Sequence, residues 1–232
     1  MKINILVCDL FEEWRLPETP AYAEMLRQLF DRVAPALEYE IFDVCRGVFP
    51  AELHADELYL IPGSRDSAYD DTPHVRKLIR MIREMDAAKI RMAGICFGHQ
   101  VIARALGGKV EKARQGWGTG IRRSAVCDPK LSGCFPAQTM SLHYNHHDQV
   151  TLLPPQAVCF AQSDFCPVEG FYLDDRILTF QGHPEYTSDY SRHLLLHHAG
   201  DEPEEVKSKA LASLNSPTDS VVAAELIVNM LR

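Results

Sequence analysis

The sequence contains no CxxC pair, no apolar run of membrane-spanning length, no basic cluster, no internal repeat and no low-complexity tract. Its seven cysteines (Cys8, Cys45, Cys96, Cys127, Cys134, Cys159 and Cys166) are odd in number and scattered. Neither a zinc knuckle nor a disulfide framework is indicated, and a reducing cytoplasm fits best. The N-terminal "MKINILVCDL" is too short and too interrupted for the core of a secretory signal, and nothing approaches the roughly 20 apolar residues that cross a bilayer. With 24 Lys and Arg against 32 Asp and Glu, a formal net charge of -8 repels phosphate backbones and anionic lipid, so neither nucleic acid nor membrane is an expected partner. What remains is 232 residues with 46% hydrophobic content, enough to bury a sizeable core in one domain.

Apolar or β-branched runs at residues 3–8 and 39–44 flank "TPAYAEMLRQLFDRV" (19–33), whose apolar residues recur at helical spacing. "ELYLIPG" (57–63) reads as a buried strand stopped by a Pro-Gly breaker, "VRKLIRMIREM" (75–85) as an amphipathic helix and "IRMAGI" (90–95) as another buried strand. Such alternation predicts an open, twisted, mostly parallel α/β sheet with helices on both faces. Further on, "GKVEKA", "GIRRSAV", "QTMSLHY", "AVCFAQS" and "RILTFQGH" have strand lengths and predict a mixed or antiparallel extension of that sheet. Two or three helices follow Glu185, with Pro203 and Pro217 near helix starts.

"GICFGHQ" (94–100) lies between a predicted strand and a helical stripe formed by Val101, Ile102, Ala105 and Leu106. At a strand-to-helix corner the central residue takes a strained backbone, and its neighbours two before and two after come together, where only glycine avoids collision. Cys96 is therefore a candidate nucleophile at a helix N-terminus, where the dipole favours its thiolate. The Phe97 N–H, unpaired at the first helical turn, is a candidate oxyanion donor. A base is offered by "QGHPEY", in which His183 and Glu185 are alternate residues on an extended segment and share a face. On this hexapeptide alone, a turn histidine beside a solvated glutamate fits as well.

"GICFGHQ", followed about ninety residues later by "QGHPEY" and preceded by alternating strands and helices, resembles the class I glutamine amidotransferase family over roughly residues 1–190. The resemblance implies a flavodoxin-like catalytic domain at 1–190, with 191–232 as a helical extension packed on the same domain. It implies Cys96 as nucleophile, His183 as general acid and base and Glu185 as the partner that orients it. "HYNHHDQV" looks like the family's segment ending in His-x-Asp-x-Val. By the same likeness Gln100, Asn145 and His146 hold the α-amino and α-carboxylate groups of glutamine, and Gly63 gives a second oxyanion donor. No cofactor or metal is implied. The expected partners are glutamine or another γ-glutamyl compound and an ammonia-accepting synthetase.

One stretch departs from the pattern. Members fused to synthetases often carry Gly-Gly-Pro after the third strand, whereas this chain has "IPGSRDSAYDD", more like the free-standing branch that includes γ-glutamyl peptidases. Two activities therefore stay open, hydrolysis of glutamine for ammonia transfer and cleavage of γ-glutamyl peptides, beside a binding protein that keeps the fold. A metal site at His143, His146, His147 and Asp148 is disfavoured, because adjacent strand residues point to opposite faces. His193 and His197 are one helical turn apart without an acidic partner between them, and read as a solvated face.

Overall fold

The computed structural model describes residues 1–11, 21–198 and 202–230. Its first half alternates as the sequence predicts: β1 (Lys2–Val7), α1 (Tyr22–Asp31), β2 (Glu38–Asp43), β3 (Leu58–Ile61), α2 (Pro73–Ala87), β4 (Arg91–Ile95) and α3 (Phe97–Ala105). Thr19 and Pro20, included in the predicted first helix, lie outside the described residues. There follow β5 (Lys109–Lys112), β6 (Gly118–Val126), the short α4 (Pro129–Ser132), β7 (Thr139–His146), β8 (Asp148–Leu152), β9 (Val158–Gln162), β10 (Gly170–Leu173) and β11 (Ile177–Phe180). The chain closes with α5 (Ser188–His197), α6 (Glu204–Ser213) and α7 (Ser220–Asn229), and Leu231, predicted helical, is outside the described residues. None of the described helices is long and apolar enough to cross a membrane.

The main sheet runs β2-β1-β3-β4-β11-β10-β9-β6-β7. Its first five strands are mutually parallel, and every pairing from β11 to β7 is antiparallel. The parallel half has the order of flavodoxin-like folds, in which ligands gather beyond the C-terminal strand ends. One predicted strand goes elsewhere: "GKVEKA" does not extend the main sheet. As β5 it pairs with β8 in a separate two-stranded ribbon. Strand length is written locally, but the partner is chosen by which buried face a strand can offer, and Val110 and Val150 close over the side of the sheet that carries α3.

Central strands are buried on both faces, so their side chains feed two cores rather than alternating apolar and polar. Ile3, Ile5, Leu58, Leu60, Ala93 and Ile95 pack toward α1 and α7 through Leu26, Phe30, Ala224 and Ile227. Leu6, Tyr59, Ile61 and Met92 pack toward α2 and α3 through Leu78, Ile82, Val101 and Ile102. Asn4, the polar interruption in β1, is buried and donates to Glu57 Oε2 at 2.7 Å. The C-terminal helices sit on the same body. The Ser141 N–H donates to Asp219 Oδ2 at 2.7 Å and the Asp219 N–H returns a bond to the Ser141 carbonyl at 2.8 Å, fastening the start of α7 to edge strand β7.

Two glycines set the corner after β4. A Cβ on Gly94 would lie 2.7 Å from the Gly98 carbonyl carbon, and one on Gly98 would lie 1.8 Å from the Ile61 carbonyl oxygen. α3 thus touches backbone of both β3 and its own strand. Gly98→Ala is expected to lose about 3 kcal/mol of stability by overpacking against backbone that cannot yield. Gly133→Ala is the contrast: Gly133 has φ -70° and nothing within 4 Å of its would-be Cβ. It should be neutral or gain up to about 1 kcal/mol through the unfolded chain. Urea midpoints of the two variants against the parent check the difference.

Candidate active site

Cys96 occupies the N-cap of α3 at φ 52° and ψ -103°, a backbone that side chains other than glycine rarely accept. Its N–H donates to the Phe180 carbonyl at 2.8 Å, so β4 stays paired with β11 up to the thiol. The residue is only 6% exposed, and its sulfur lies near enough to the His183 ring to interact with it electrostatically.

His183 follows β11. Its backbone N–H donates to the His143 carbonyl at 2.7 Å, its ring stacks on Tyr186 at 3.9 Å and 11°, and its Nδ1 lies 2.7 Å from Glu185 Oε1. With Nδ1 held by the carboxylate, Nε2 is left for the sulfur. Burial by itself would depress the imidazole pKa. The Glu185 carboxylate, and after it Cys96, outweighs burial and holds it above its ordinary value. Cys96, His183 and Glu185, which the sequence separates by up to 89 positions, therefore come together, with His183 hydrogen-bonded to Glu185 and electrostatically coupled to Cys96.

Glu185 has a partner that the sequence did not reveal. The Tyr22 hydroxyl donates to Glu185 Oε1 at 2.6 Å and accepts the Gly63 N–H at 3.0 Å. The N–H of Gly63, which the resemblance implies as the second oxyanion donor, is directed at Tyr22 in this structure. Phe97, as the first residue of α3, keeps an N–H with no intrahelical acceptor.

A cavity of about 500 Å³ opens over Cys96. Gln100, Asn145 and His146 all line it. Both amide protons of Gln100 are already used, on the Asp148 carbonyl at 2.7 Å and Gln181 Oε1 at 3.1 Å, so what it can offer a ligand is its carbonyl oxygen. His146 is almost fully buried between Tyr144 and Phe165, with Nδ1 2.9 Å from the Asp148 carbonyl. A carbonyl only accepts, so the proton is on Nδ1 and Nε2 is an acceptor. His146 thus forms wall and supplies no free donor to a carboxylate. Asn145 is half-buried on β7.

The rest of the cavity wall comes from residues for which the sequence carried no signal: Phe11, Arg65, Tyr69, Lys112 and Trp117. Their loops are tied together. Arg65 Nε donates to Asp9 Oδ2 at 2.6 Å, while Ser67 and Tyr69 donate to the Asp148 carboxylate at 2.5 and 2.8 Å. Burial would raise the Asp9 pKa, but Arg65 and backbone donors more than offset this and keep it below the ordinary carboxylate range. His198, next to the predicted solvated face of α5, also lines the cavity.

Three further histidines are buried and neutral. Burial lowers the pKa of His99 to about 3, of His146 to about 3 and of His143 to about 4. Their ring Nδ1 atoms meet, respectively, Thr179 Oγ1 at 2.8 Å, the Asp148 carbonyl at 2.9 Å and Ser191 Oγ at 2.9 Å.

The family profile described as class-I glutamine amidotransferase matches residues 37–200. A Saccharomyces cerevisiae protein named as a candidate glutamine amidotransferase is 36% identical over 209 residues, covering 84% of this chain and 82% of that one. Arabidopsis thaliana γ-glutamyl peptidase 3 is 35% identical over 161 residues, covering 66% of this chain and 64% of that one. Arabidopsis γ-glutamyl peptidase 2 is 32% identical over 184 residues, at 76% and 74% coverage. In fold, the chain superposes on a Thermotoga maritima glutamine amidotransferase with a TM-score of 0.76 at 18% identity, covering 100% of this chain and 98% of that one.

The buried histidines predict an acid-sensitive fold. Each folded pKa lies below the ordinary 6.5, so the unfolded chain takes up protons that the folded chain refuses. Stability should be flat in these groups above about pH 6.5 and fall below it, by up to about 1.4 kcal/mol per pH unit for each histidine, until about pH 4. His183, with its raised pKa, is protonated in both states in that window and leaves the slope unchanged. Urea unfolding at pH 7.5, 6.5 and 5.5 measures the slope, and His99→Asn should reduce it.

Proposed function

The chain belongs to the class-I glutamine amidotransferase family, and from that premise we propose that it hydrolyses the γ-amide of glutamine through Cys96, releasing ammonia for transfer to an acceptor. The family and the γ-glutamyl peptidase relatives support an amidohydrolase. The observation that carries the finer reading is the buried line Cys96–His183–Glu185 beneath the cavity.

In this reading the proton of the Cys96 thiol already rests on His183 Nε2, and the sulfur so freed attacks the γ-carbonyl carbon. Negative charge builds on the former carbonyl oxygen, and the Phe97 N–H at the start of α3 is the donor best placed to meet it. The Gly63 N–H could join only by exchanging the Tyr22 hydroxyl for that oxygen. Collapse breaks the C–N bond, and His183 returns its proton to the departing nitrogen, leaving a γ-glutamyl thioester on Cys96. Water, deprotonated by His183, then attacks the thioester carbon and the sulfur leaves and is reprotonated. Glu185 holds the ring with Nδ1–H inward throughout, so that Nε2 faces the sulfur. Asn145, the Gln100 carbonyl oxygen and the wall at His146 would bound the glutamyl end. An ammonia-accepting synthetase is the partner of this reading, and a reducing cytoplasm, which keeps the thiol free, its compartment.

A second reading keeps the same chemistry with a γ-glutamyl peptide as substrate. Two observations favour it: relatives named γ-glutamyl peptidases at 32–35% identity, and a cavity that runs past Cys96 to Trp117 and Lys112, leaving room for a leaving group larger than ammonia.

Cys96→Ala should abolish hydrolysis while leaving the fold intact, and an electrophilic glutamine analogue should label Cys96 rather than the other cysteines by mass mapping. His183→Ala should lose as much, and Glu185→Gln less, within the ~100- to 10,000-fold range of positioned acid-base catalysis. Label on Cys127 or Cys159, or near-normal turnover of His183→Ala, would overturn the assignment. Comparison of kcat/KM for glutamine and γ-glutamyl dipeptides, by released ammonia or amine, separates the two readings. A preference of ~100-fold or more for the dipeptide decides for the peptidase.

A further inference from the structure

We propose that Tyr22 is a positioning residue for this reaction, one buried hydroxyl that ties the Gly63 peptide to the carboxylate that orients His183. The proposal rests on the Cys96 reading above, but its origin is separate. Tyr22 lies outside residues 37–200, the span that carries the family match.

The direction of each hydrogen bond is fixed by chemistry. The Gly63 N–H can only donate, so Tyr22 Oη accepts there at 3.0 Å. Its single proton must then go to Glu185 Oε1 at 2.6 Å, the same oxygen that takes His183 Nδ1–H at 2.7 Å. The other carboxylate oxygen, Oε2, is buried without a hydrogen-bond partner among the described residues. Oε1 alone therefore holds the imidazole, and Tyr22 is one of two donors that keep it in place. Burial, and after it the charge of Glu185, push the Tyr22 phenol well above its ordinary pKa, so it remains a donor across the working range.

The ring is as constrained as the hydroxyl. It meets Phe11 edge-on at 4.8 Å and Tyr186 at 6.4 Å, and Tyr186 is the residue stacked on His183. On the opposite side a Cβ at Gly63 would come within 2.9 Å of both Tyr22 Oη and His183 Cε1. The loop after β3, the phenol and the imidazole thus share one tight contact, and a shift in any of them moves the others.

Tyr22→Phe removes both hydrogen bonds and keeps the ring. In the full-length protein, with glutamine and a γ-glutamyl dipeptide as substrates, kcat should fall ~10- to 100-fold, the effect of losing a hydrogen bond to a charged group, while KM changes less than ~2-fold. The downfield proton resonance of His183 Nδ1–H, identified by its loss in His183→Ala, should move. Met25→Ala is the packing control. Met25 belongs to the same apolar cluster and makes no hydrogen bond to the triad, so this variant should lose stability and keep kcat. Equal kcat losses in the two variants, or an unmoved resonance with kcat within ~2-fold of wild type in Tyr22→Phe, would overturn the proposal. Wild-type protein without Cys96-dependent turnover would instead sink the underlying reading, and the resonance would still test the link between Tyr22 and His183.

Discussion

The close approach of α3 to β3, backbone against backbone at Gly98 and Ile61, is the constraint on which the rest of the site depends. It allows α3 to start immediately after β4, so Cys96 must bend through positive φ to connect them. A side chain at residue 98 would push the helix outward and relax that bend. The sulfur would then leave the sheet edge where His183 waits, and the Phe97 N–H would no longer lie beside it. The strain at Cys96 is tolerated because two cores hold the strand and the helix on either side of it.

Around the thiol, polar groups are buried in a chain of obligate directions. Gly63 N–H, the Tyr22 hydroxyl, Glu185 Oε1 and His183 Nδ1–H leave little freedom for the imidazole, which is also stacked and backbone-bonded. Burial would expel charge from such a place. The Glu185 carboxylate reverses that preference at His183, while His99, His143 and His146, with no carboxylate of the described residues at hydrogen-bond distance, stay neutral. One interior thus keeps a proton on the histidine beside the sulfur and off the others.

The cavity wall is assembled differently, from loops rather than strands. Asp9 with Arg65, and Asp148 with Ser67 and Tyr69, lace together the segments after β1, β3 and β7. The β5-β8 ribbon carries Lys112 and Asp148 to the rim. These contacts shape what can enter above Cys96, whereas the corner and the His183–Glu185 pair fix the surroundings of its thiol.

The sequence by itself determined what is local. Alternating apolar runs announced the parallel half of the sheet, paired glycines announced the corner at Cys96, and His183 with Glu185 on one short extended segment announced an imidazole beside a carboxylate. Each is a pattern within a few residues, where backbone geometry follows directly from side-chain type. Only the tertiary structure decided that β5 leaves the main sheet for β8, that Gly63 turns its N–H to Tyr22, that His146 forms wall, and that Arg65, Trp117 and Lys112 line the cavity over Cys96. Those outcomes depend on pairings between distant segments. The Tyr22 hydroxyl reaches Glu185 across 163 residues, a contact that exists only because α1 and the segment after β11 are packed against the same parallel strands.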